Sequence, residues 1–441
     1  MLRPLFTLFT AMVMSMACLA QHSKHVILIS IDGLRPEFYL DAKWPTPNLQ
    51  HLKAGGLYAQ RLKSVFPSYT YPSHVAMLTG AMPARSGIYY NAPVGSTGDW
   101  NWFMKDIKVP TVWQALKAKG LSTSAIQWPV SVGEGITYNI PEIWDKDHGE
   151  DRISETRKYA TKGLIEEIEQ NATGKLDSVN MNEEFSSMDA NAGRMASYIF
   201  KTYKPAFMAL HFASADSKQH EFGRESEELK LALANIDNSI GGILETIERS
   251  GLKDSTTILI VGDHGFMDIH DAVRPNVWLK MNNLLDTKAK FQPSGGSAFL
   301  YLKNKNDKQT LDKIKKLLQD LPYSQKKLFN VYDRAKLDEM GADSSAALAL
   351  AAVPGIFFSG ASVDRSGNTL KDALGAAGGG HHGYDPNFPE MATGFIGYGA
   401  GINKGIVIPI MGVEDIAPLI TTLLGVEFNS PDGILLPSII K

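Results

Sequence analysis

Three apolar runs in this chain end on an aspartate: His25–Ile31 before Asp32, Ala206–Ala213 before Asp216, and Thr257–Val261 before Asp263 and His264. Uninterrupted aliphatic and β-branched runs of this kind suit strands covered on both faces, as in a mostly parallel sheet between helices. In such sheets ligands collect beyond the carboxyl ends of the strands. Acids from distant parts of the chain are therefore expected to converge on one sheet edge.

The alternation of strand and helix argues for an α/β fold with a mostly parallel central sheet sandwiched by helices. Strand Val26–Ile31 is expected to lead into a helix over Pro47–Gly55. Phe66–Ser73 reads as a turn, with a helix over His74–Thr79 whose first turn Pro72 fits and which Gly80 stops. Thr111–Lys119 reads as a helix, Ser124–Trp128 as a short strand, and Glu228–Ser250 as a long amphipathic helix. Between Ser131 and Met188 the pattern weakens into polar loops and helix, an expected excursion from the core. The texture changes again over 282–372, with a strand at Ala298–Leu302 and a helix at Thr310–Asp320. This segment is expected to form a small α+β cap inserted into a core made of 24–281 and 373–441. A last strand is expected near Ala392–Gly397 and a last helix over Glu414–Leu424.

Residues 1–20 carry Arg3, an apolar stretch from Leu5 to about Met16, and Cys18-Leu-Ala20 before Gln21, the layout of a secretory signal. A secreted or periplasmic mature chain is expected. Lipidation of Cys18 is disfavoured, because Ser15 stands where a lipoprotein signal has an aliphatic residue. No later segment reaches the ~18 consecutive apolar residues of a membrane span. Cys18 is the single cysteine, so the mature chain has no disulfide and no thiolate metal ligand. With 44 Lys+Arg against 47 Asp+Glu, nothing favours polymeric nucleic acid as a partner. The sequence leaves oligomeric state open.

Asp216 and His220 stand four residues apart, which places both on one helix face, about 5–6 Å apart at Cβ, as two ligands of one ion would be. Asp32, Asp216, His220, Asp263, His264 and one histidine of the Gly378–Tyr384 return would give two carboxylate–imidazole sites three ligands each, and Thr70 Oγ a seventh donor. Such paired ions clamp the attacking and leaving oxygens of an in-line displacement. Thr70 lies just before a helix start, where backbone N–H groups favour an anion. Its hydroxyl becomes a nucleophile when a metal lowers its pKa. Each feature alone also has a plain structural reading as a turn or a helix cap.

Taken in order, Asp32-Gly33, Pro67-x-x-Thr70-x-Pro72-x-His74 with Leu78-Thr79-Gly80, Gly87-Ile88-x-x-Asn91, Asp216-x-x-x-His220, Asp263-His264-Gly265 and His382-Gly383-Tyr384 resemble the alkaline phosphatase superfamily, and within it the nucleotide pyrophosphatase/phosphodiesterase branch. The resemblance implies two Zn²⁺ per chain, or other divalent ions. One would be held by Asp216, His220 and His382, the other by Asp32, Thr70, Asp263 and His264. It implies a phosphothreonine at Thr70, a phosphoryl contact from Asn91, and a nucleobase contact from Tyr71. Tyr89, Tyr90, Trp100, Trp102 and Phe103 could join Tyr71 in a stacking slot. His381, His74, His211 and the other histidines carry no role in it. The chain departs from the family at Pro72-Ser73 and Ser86-Gly87, which leaves the pocket near the phosphate less defined.

Thr70 and His74 stand where related sulfatases have a modifiable cysteine and an arginine, so sulfate esters are disfavoured. Trp128–Glu134 lacks the Lys-x-Arg pair that meets a dianionic phosphate in some relatives. The reading is therefore a metal-dependent hydrolase of phosphate diesters or pyrophosphates, with a nucleotide or a lipid headgroup as substrate. A phosphomonoesterase, a phosphonate hydrolase and a non-catalytic metal-binding protein are the rivals.

Overall fold

The computed structural model describes residues 23–149, 151–182, 185–363, 370 and 372–441. The expected signal segment, with Cys18, lies outside them. Strands β1 (His25–Ile31), β2 (Leu57–Lys63), β3 (Thr123–Ile126), β4 (Tyr138–Ile140), β5 (Phe207–Phe212), β6 (Thr256–Val261) and β7 (Thr393–Gly399) form one sheet in the order β2-β7-β6-β1-β5-β3-β4. Val407–Ile408 and Met411–Gly412 add to β2 at the far edge. Neighbours among β6, β1, β5, β3 and β4 run parallel, while β7 runs antiparallel to both β6 and β2. The α/β expectation is met.

The apolar runs are continuous because both faces of the sheet are covered. Ile27, Ile29 and Ile31 of β1 enter one core, with Met208, Leu210 and Phe212 of β5 and Ile258 and Ile260 of β6. The alternate residues Val26 and Leu28, Phe207 and Ala209, and Leu259 and Val261 enter the other. This is the period-2 alternation of a strand, apolar on both sides. Helices α2 (Ser186–Tyr203) and α4 (Glu227–Arg249) pack together over the first core. Helix α1 (Thr70–Thr79) lines the second through Ala76, Met77 and Leu78.

Register brings the strand ends level. Ile31 pairs with Phe212 and Ser30 with Val261, so Asp32 and the residues after β5 and β6 leave the sheet side by side. Gly262 makes the exit after β6 possible. A Cβ there would lie 2.0 Å from Thr393 Oγ1 and 2.7 Å from Leu34 Cβ.

Three expectations change. The helix read over His74–Thr79 begins at Thr70, inside the segment read as a turn; Pro72 falls in its first turn as expected, where a missing N–H breaks no intrahelical bond. The excursion over 131–188 returns β4 to the edge of the sheet, through a three-residue pairing too short to give a sequence period. The segment after 282 builds a separate four-stranded antiparallel sheet from Ala289–Ser294, Ser297–Leu302, Phe329–Tyr332 and Leu348–Ala352; only its Ser297–Leu302 strand was legible beforehand.

Helix α3 (Ser214–Phe222), which carries Asp216 and His220, is fastened from outside. Asp189 on α2 accepts the N–H groups of Ala213 at 3.0 Å and Ser214 at 3.1 Å through its two carboxylate oxygens. Both donors are buried, so losing their acceptor leaves them unsatisfied. Asp189→Ala is expected to lower the unfolding free energy by about 1–3 kcal/mol, read from urea denaturation, and to loosen α3 before the sheet.

Candidate active site

Four donor atoms converge where β1, β6 and α1 meet. His264 Nε2 lies 3.2 Å from Asp32 Oδ1, 3.3 Å from Asp263 Oδ2 and 3.4 Å from Thr70 Oγ1. Donor atoms on ~2.0–2.1 Å bonds to one tetrahedral ion lie about 3.3–3.4 Å apart, so these spacings are those of a metal cradle. Asp263 is aimed by the backbone: its Oδ1 accepts the N–H of Gly33 and of His264, each at 3.0 Å, which turns Oδ2 inward. Gly33 can offer that N–H because it holds φ +67°, a left-handed conformation suited to glycine.

Beside this cradle, His220 Nε2 lies 3.4 Å from Asp216 Oδ2, and His382 Nε2 3.8 Å from Asp216 Oδ1. The i, i+4 spacing on α3 does what it predicts. The rings of His264 and His382 stack at 3.7 Å between the two groups. The three histidines expected as ligands are oriented alike. His264 Nδ1 faces the carbonyl of Gly265 at 3.2 Å, His220 Nδ1 that of Gly380 at 3.0 Å, and His382 Nδ1 that of Ser68 at 2.9 Å. A carbonyl only accepts, so each ring donates from Nδ1 and keeps the Nε2 lone pair for the site. His381 is closer than the sequence suggests: it shares a possible ligand group with His220 and His382, all within 4.8 Å. Its Nδ1, however, also takes the backbone N–H of His382 at 3.0 Å.

The electrostatics fit a cation. Asp32 and Asp263 are both buried, and Asp32 Oδ1 and Asp263 Oδ2 meet no hydrogen-bond donor among the described residues. Burial, then the charge of Asp32, pushes the Asp263 carboxyl up to about 7. Burial would also raise Asp32, but the His211 hydrogen bond and the neighbouring His264 hold it well below the usual carboxylate range. Burial, then the neighbouring imidazoles, pushes His382 well down, which keeps it neutral. Two inward-facing carboxylate oxygens without donors, beside oriented Nε2 lone pairs, are what a divalent ion requires.

Thr70 is the first residue of α1, yet the helix start offers an anion less than expected. The Tyr71 N–H is taken by Asn91 Oδ1 at 2.9 Å, and Pro72 has none. That bond leaves the Asn91 Nδ2 free of the Tyr71 contact, and Asn91 lines the cleft. The departures from the family pattern face elsewhere. Ser73 is buried against Ser64 at 2.9 Å, and Ser86 is buried outside the cleft lining.

Above the site lies a cleft of about 930 Å³, lined by Asp32, Thr70, Asn91, Asp216, His220 and His382. Tyr71, Tyr90 and Trp100 line it, whereas Tyr89, Trp102 and Phe103 do not. Tyr71 and Trp100 meet edge to face at 5.2 Å, so they form a corner and not two parallel walls. Glu142, Phe185, Lys218 and Gln292–Ser294 also line the cleft and were missed from sequence. Lys218 is its one Lys or Arg among the described residues, held 3.5 Å from Glu221. Trp128–Val132 are buried outside it.

His74 and His211, read as carrying no role, lie directly beneath the site. His74 Nδ1 donates to the carbonyl of Thr70 at 2.8 Å, tying down the turn that presents the hydroxyl. His211 Nε2 lies 3.2 Å from Asp32 Oδ2. Burial would lower the His211 pKa, but the hydrogen bond and charge of Asp32 push it up to about 9. One signal was present: His211 is a polar residue inside the apolar β5 run.

Comparison with known proteins gives a consistent answer. The family model described as type I phosphodiesterase / nucleotide pyrophosphatase matches residues 26–385. Ectonucleotide pyrophosphatase/phosphodiesterase family member 3 of Mus musculus is 23% identical over 248 residues, 54% of this chain and 24% of that protein. The bis(5'-adenosyl)-triphosphatase of Mus musculus is 23% identical over 433 residues, 93% of this chain and 79% of that protein. The chain thus spans about a quarter to a half of the first curated relatives it matches. The solved murine ectonucleotide pyrophosphatase/phosphodiesterase 5 shares the fold at 20% identity, with a TM-score of 0.66 over 92% of this chain and 96% of that one. An inactive form of it in complex with AMP gives a TM-score of 0.64 at 17% identity over the same shares.

The two histidines of the return can be told apart by metal content. His382→Ala is expected to lose about one of about two divalent ions per chain, and His381→Ala to keep both. Equilibrium dialysis with elemental analysis reads the difference. Equal loss in both variants, or loss in His381→Ala alone, would reverse the assignment.

Proposed function

Because the chain belongs to the type I phosphodiesterase/nucleotide pyrophosphatase family of the alkaline phosphatase superfamily, we propose that it is a metal-dependent hydrolase of phosphate diesters and pyrophosphates that works through Thr70. The observation that carries this reading is the placement of Thr70 Oγ1, 3.4 Å from His264 Nε2 and at the floor of the cleft.

Asp32, Thr70, Asp263 and His264 would hold one divalent ion, and Asp216, His220 and His382 the other, two Zn²⁺ being the expected pair. Bound, such ions supply Lewis-acid polarisation of the phosphoryl group and lower the pKa of a coordinated hydroxyl. Thr70 Oγ1, having given up its proton to solvent, attacks phosphorus. The bond to the leaving oxygen breaks, that oxygen leaves as an anion that takes a proton from water, and Thr70 carries the phosphoryl group. Water then cleaves the phosphothreonine and restores the hydroxyl. Asn91, anchored through Oδ1, donates from Nδ2 to a non-bridging oxygen where negative charge builds up. His74 keeps the Thr70 turn in place through both steps.

The substrate class follows from charge. Lys218, the one cation lining the cleft among the described residues, is already paired with Glu221, and Glu142 and Glu221 add acid to the same walls. A diester phosphate carries one negative charge and needs less compensation than a dianionic monoester. Tyr71 and Trp100 offer aromatic surface to a nucleobase, and base–aromatic contact contributes about 1–3 kcal/mol. The names of the relatives, a bis(5'-adenosyl)-triphosphatase and a protein complexed with AMP, favour a nucleotide over a lipid headgroup. Gln292–Ser294 reach the cleft from the second sheet, which supports reading 282–372 as a cap over a core of 24–281 and 373–441. Export through a signal at 1–20 completes the proposal. No helix among the described residues is long and apolar enough to cross a membrane.

Thr70→Ala is expected to fold normally and lose turnover by at least about 10³-fold, while Thr70→Ser keeps part of it. A stable Thr70→Ala enzyme with a near wild-type rate would remove threonine from the mechanism. With Zn²⁺ present, an aryl nucleotide diester should exceed the matching aryl monoester in kcat/KM by on the order of 10², if one missing charge-assisted contact is worth about 3 kcal/mol. Preference for the monoester or for a phosphonate would favour those rival activities, and no turnover of any ester would favour a binding protein.

A further inference from the structure

The two buried aspartates of the cradle are aimed by different means. Asp263 has one oxygen fixed by two backbone N–H groups, at Gly33 and His264. Asp32 has no backbone donor on its carboxylate among the described residues. Its Oδ2 instead meets His211 Nε2 at 3.2 Å, while Oδ1 faces His264 Nε2 at 3.2 Å from the cradle side. We infer that His211 is a positioning residue that turns Asp32 Oδ1 toward the metal by hydrogen-bonding Oδ2. The inference rests on the metal reading of the site proposed above.

His211 is built to donate. Its Nδ1 lies 3.1 Å from the carbonyl oxygen of Gln127 and its Nε2 on a carboxylate, so both ring nitrogens face acceptors. A ring donating from both nitrogens has no lone pair to offer a metal, which separates His211 from His220, His264 and His382. The ring is buried and braced edge-on by His74 at 4.7 Å. The carbonyl that anchors Nδ1 belongs to Gln127, a buried non-glycine residue at φ +50°, a conformation its surroundings must hold in place. Ring, brace and carbonyl thus fix one direction for the Nε2–H, and it points at Asp32.

Groups that orient a metal ligand typically alter metal affinity by about 10- to 100-fold when removed. The test is Zn²⁺ affinity by competition with a chromophoric chelator, with thermal melting as the fold control. His211→Phe keeps a ring and removes both donors. It is expected to weaken one Zn²⁺ site by about 10- to 100-fold and leave the other unchanged. In the His382→Ala background, where the Asp32 site is the one retained, the same weakening should appear in the remaining ion. His211→Gln places an amide donor near the Nε2 position and should restore most of the affinity. His211→Asn can reach only toward Gln127 and should not. The Gln and Asn pair decides the matter if His211→Phe does not fold.

Wild-type Zn²⁺ affinity at both sites in His211→Phe, or in His211→Asn where that pair decides, overturns the inference. So does loss at the Asp216 site instead, or equal affinity in the Gln and Asn variants. A wild-type protein that binds no zinc would remove the metal reading itself and the inference with it. Two tight sites untouched by His211 variants would remove the inference alone.

Discussion

Everything at the carboxyl edge of the sheet answers one electrostatic demand, the burial of aspartates beside one another. Asp32 and Asp263 are both enclosed, and burial together with the Asp32 charge already pushes Asp263 up to about 7. Isolated carboxylates in a low-dielectric interior carry a large desolvation cost unless charge or hydrogen bonds offset it. The structure offsets it through imidazoles and backbone N–H groups, with one oxygen of each acid left facing a common point. A protein with only a packing problem there would place apolar residues at those positions, as it does along the rest of β1 and β6.

The site's rigidity comes from parts that do not react. Carbonyls of Ser68, Gly265 and Gly380 set the tautomers of three histidines, and the Thr70 carbonyl is tied to His74. Asp189 fastens the start of the helix that carries Asp216 and His220. The histidine contacts are single hydrogen bonds of modest net stability and Asp189 makes several, but each removes freedom that would blur the positions of donor atoms. The hydroxyl of Thr70 therefore rests on a loop–helix junction with little freedom, a favourable place for a nucleophile.

The chemical character of the cleft is set further out. The cleft wall combines an aromatic corner of Tyr71 and Trp100, acids at Glu142 and Glu221, and a lysine already paired with one of those acids. Strand Ala289–Ser294 of the second sheet closes one side. Walls and floor share elements, since Tyr71 follows Thr70 on α1 and Lys218 and Glu221 stand on α3 with Asp216 and His220, whereas Gln292–Ser294 come from the second sheet.

The sequence by itself determined the sheet, the level strand ends, the acids placed there and the i, i+4 pair on α3. Each of these follows from local pattern: runs that are apolar on both faces, and a helical spacing that puts two ligands on one side. It also carried enough ordered short motifs to identify the family. It placed Pro72 in the first turn of α1 but not the exact first residue, because Ser68, Thr70 and Ser73 can each stand as a turn or cap residue in one dimension. It gave β4 no sign, since three residues carry no period. The roles of His74, His211, Lys218 and Glu142 were decided by tertiary structure alone. His211 meets Asp32 only because β5 lies parallel beside β1 in a fixed register, and its second partner, Gln127, comes from beyond β3. Contacts between strands far apart in the chain depend on sheet order, which no local spacing encodes.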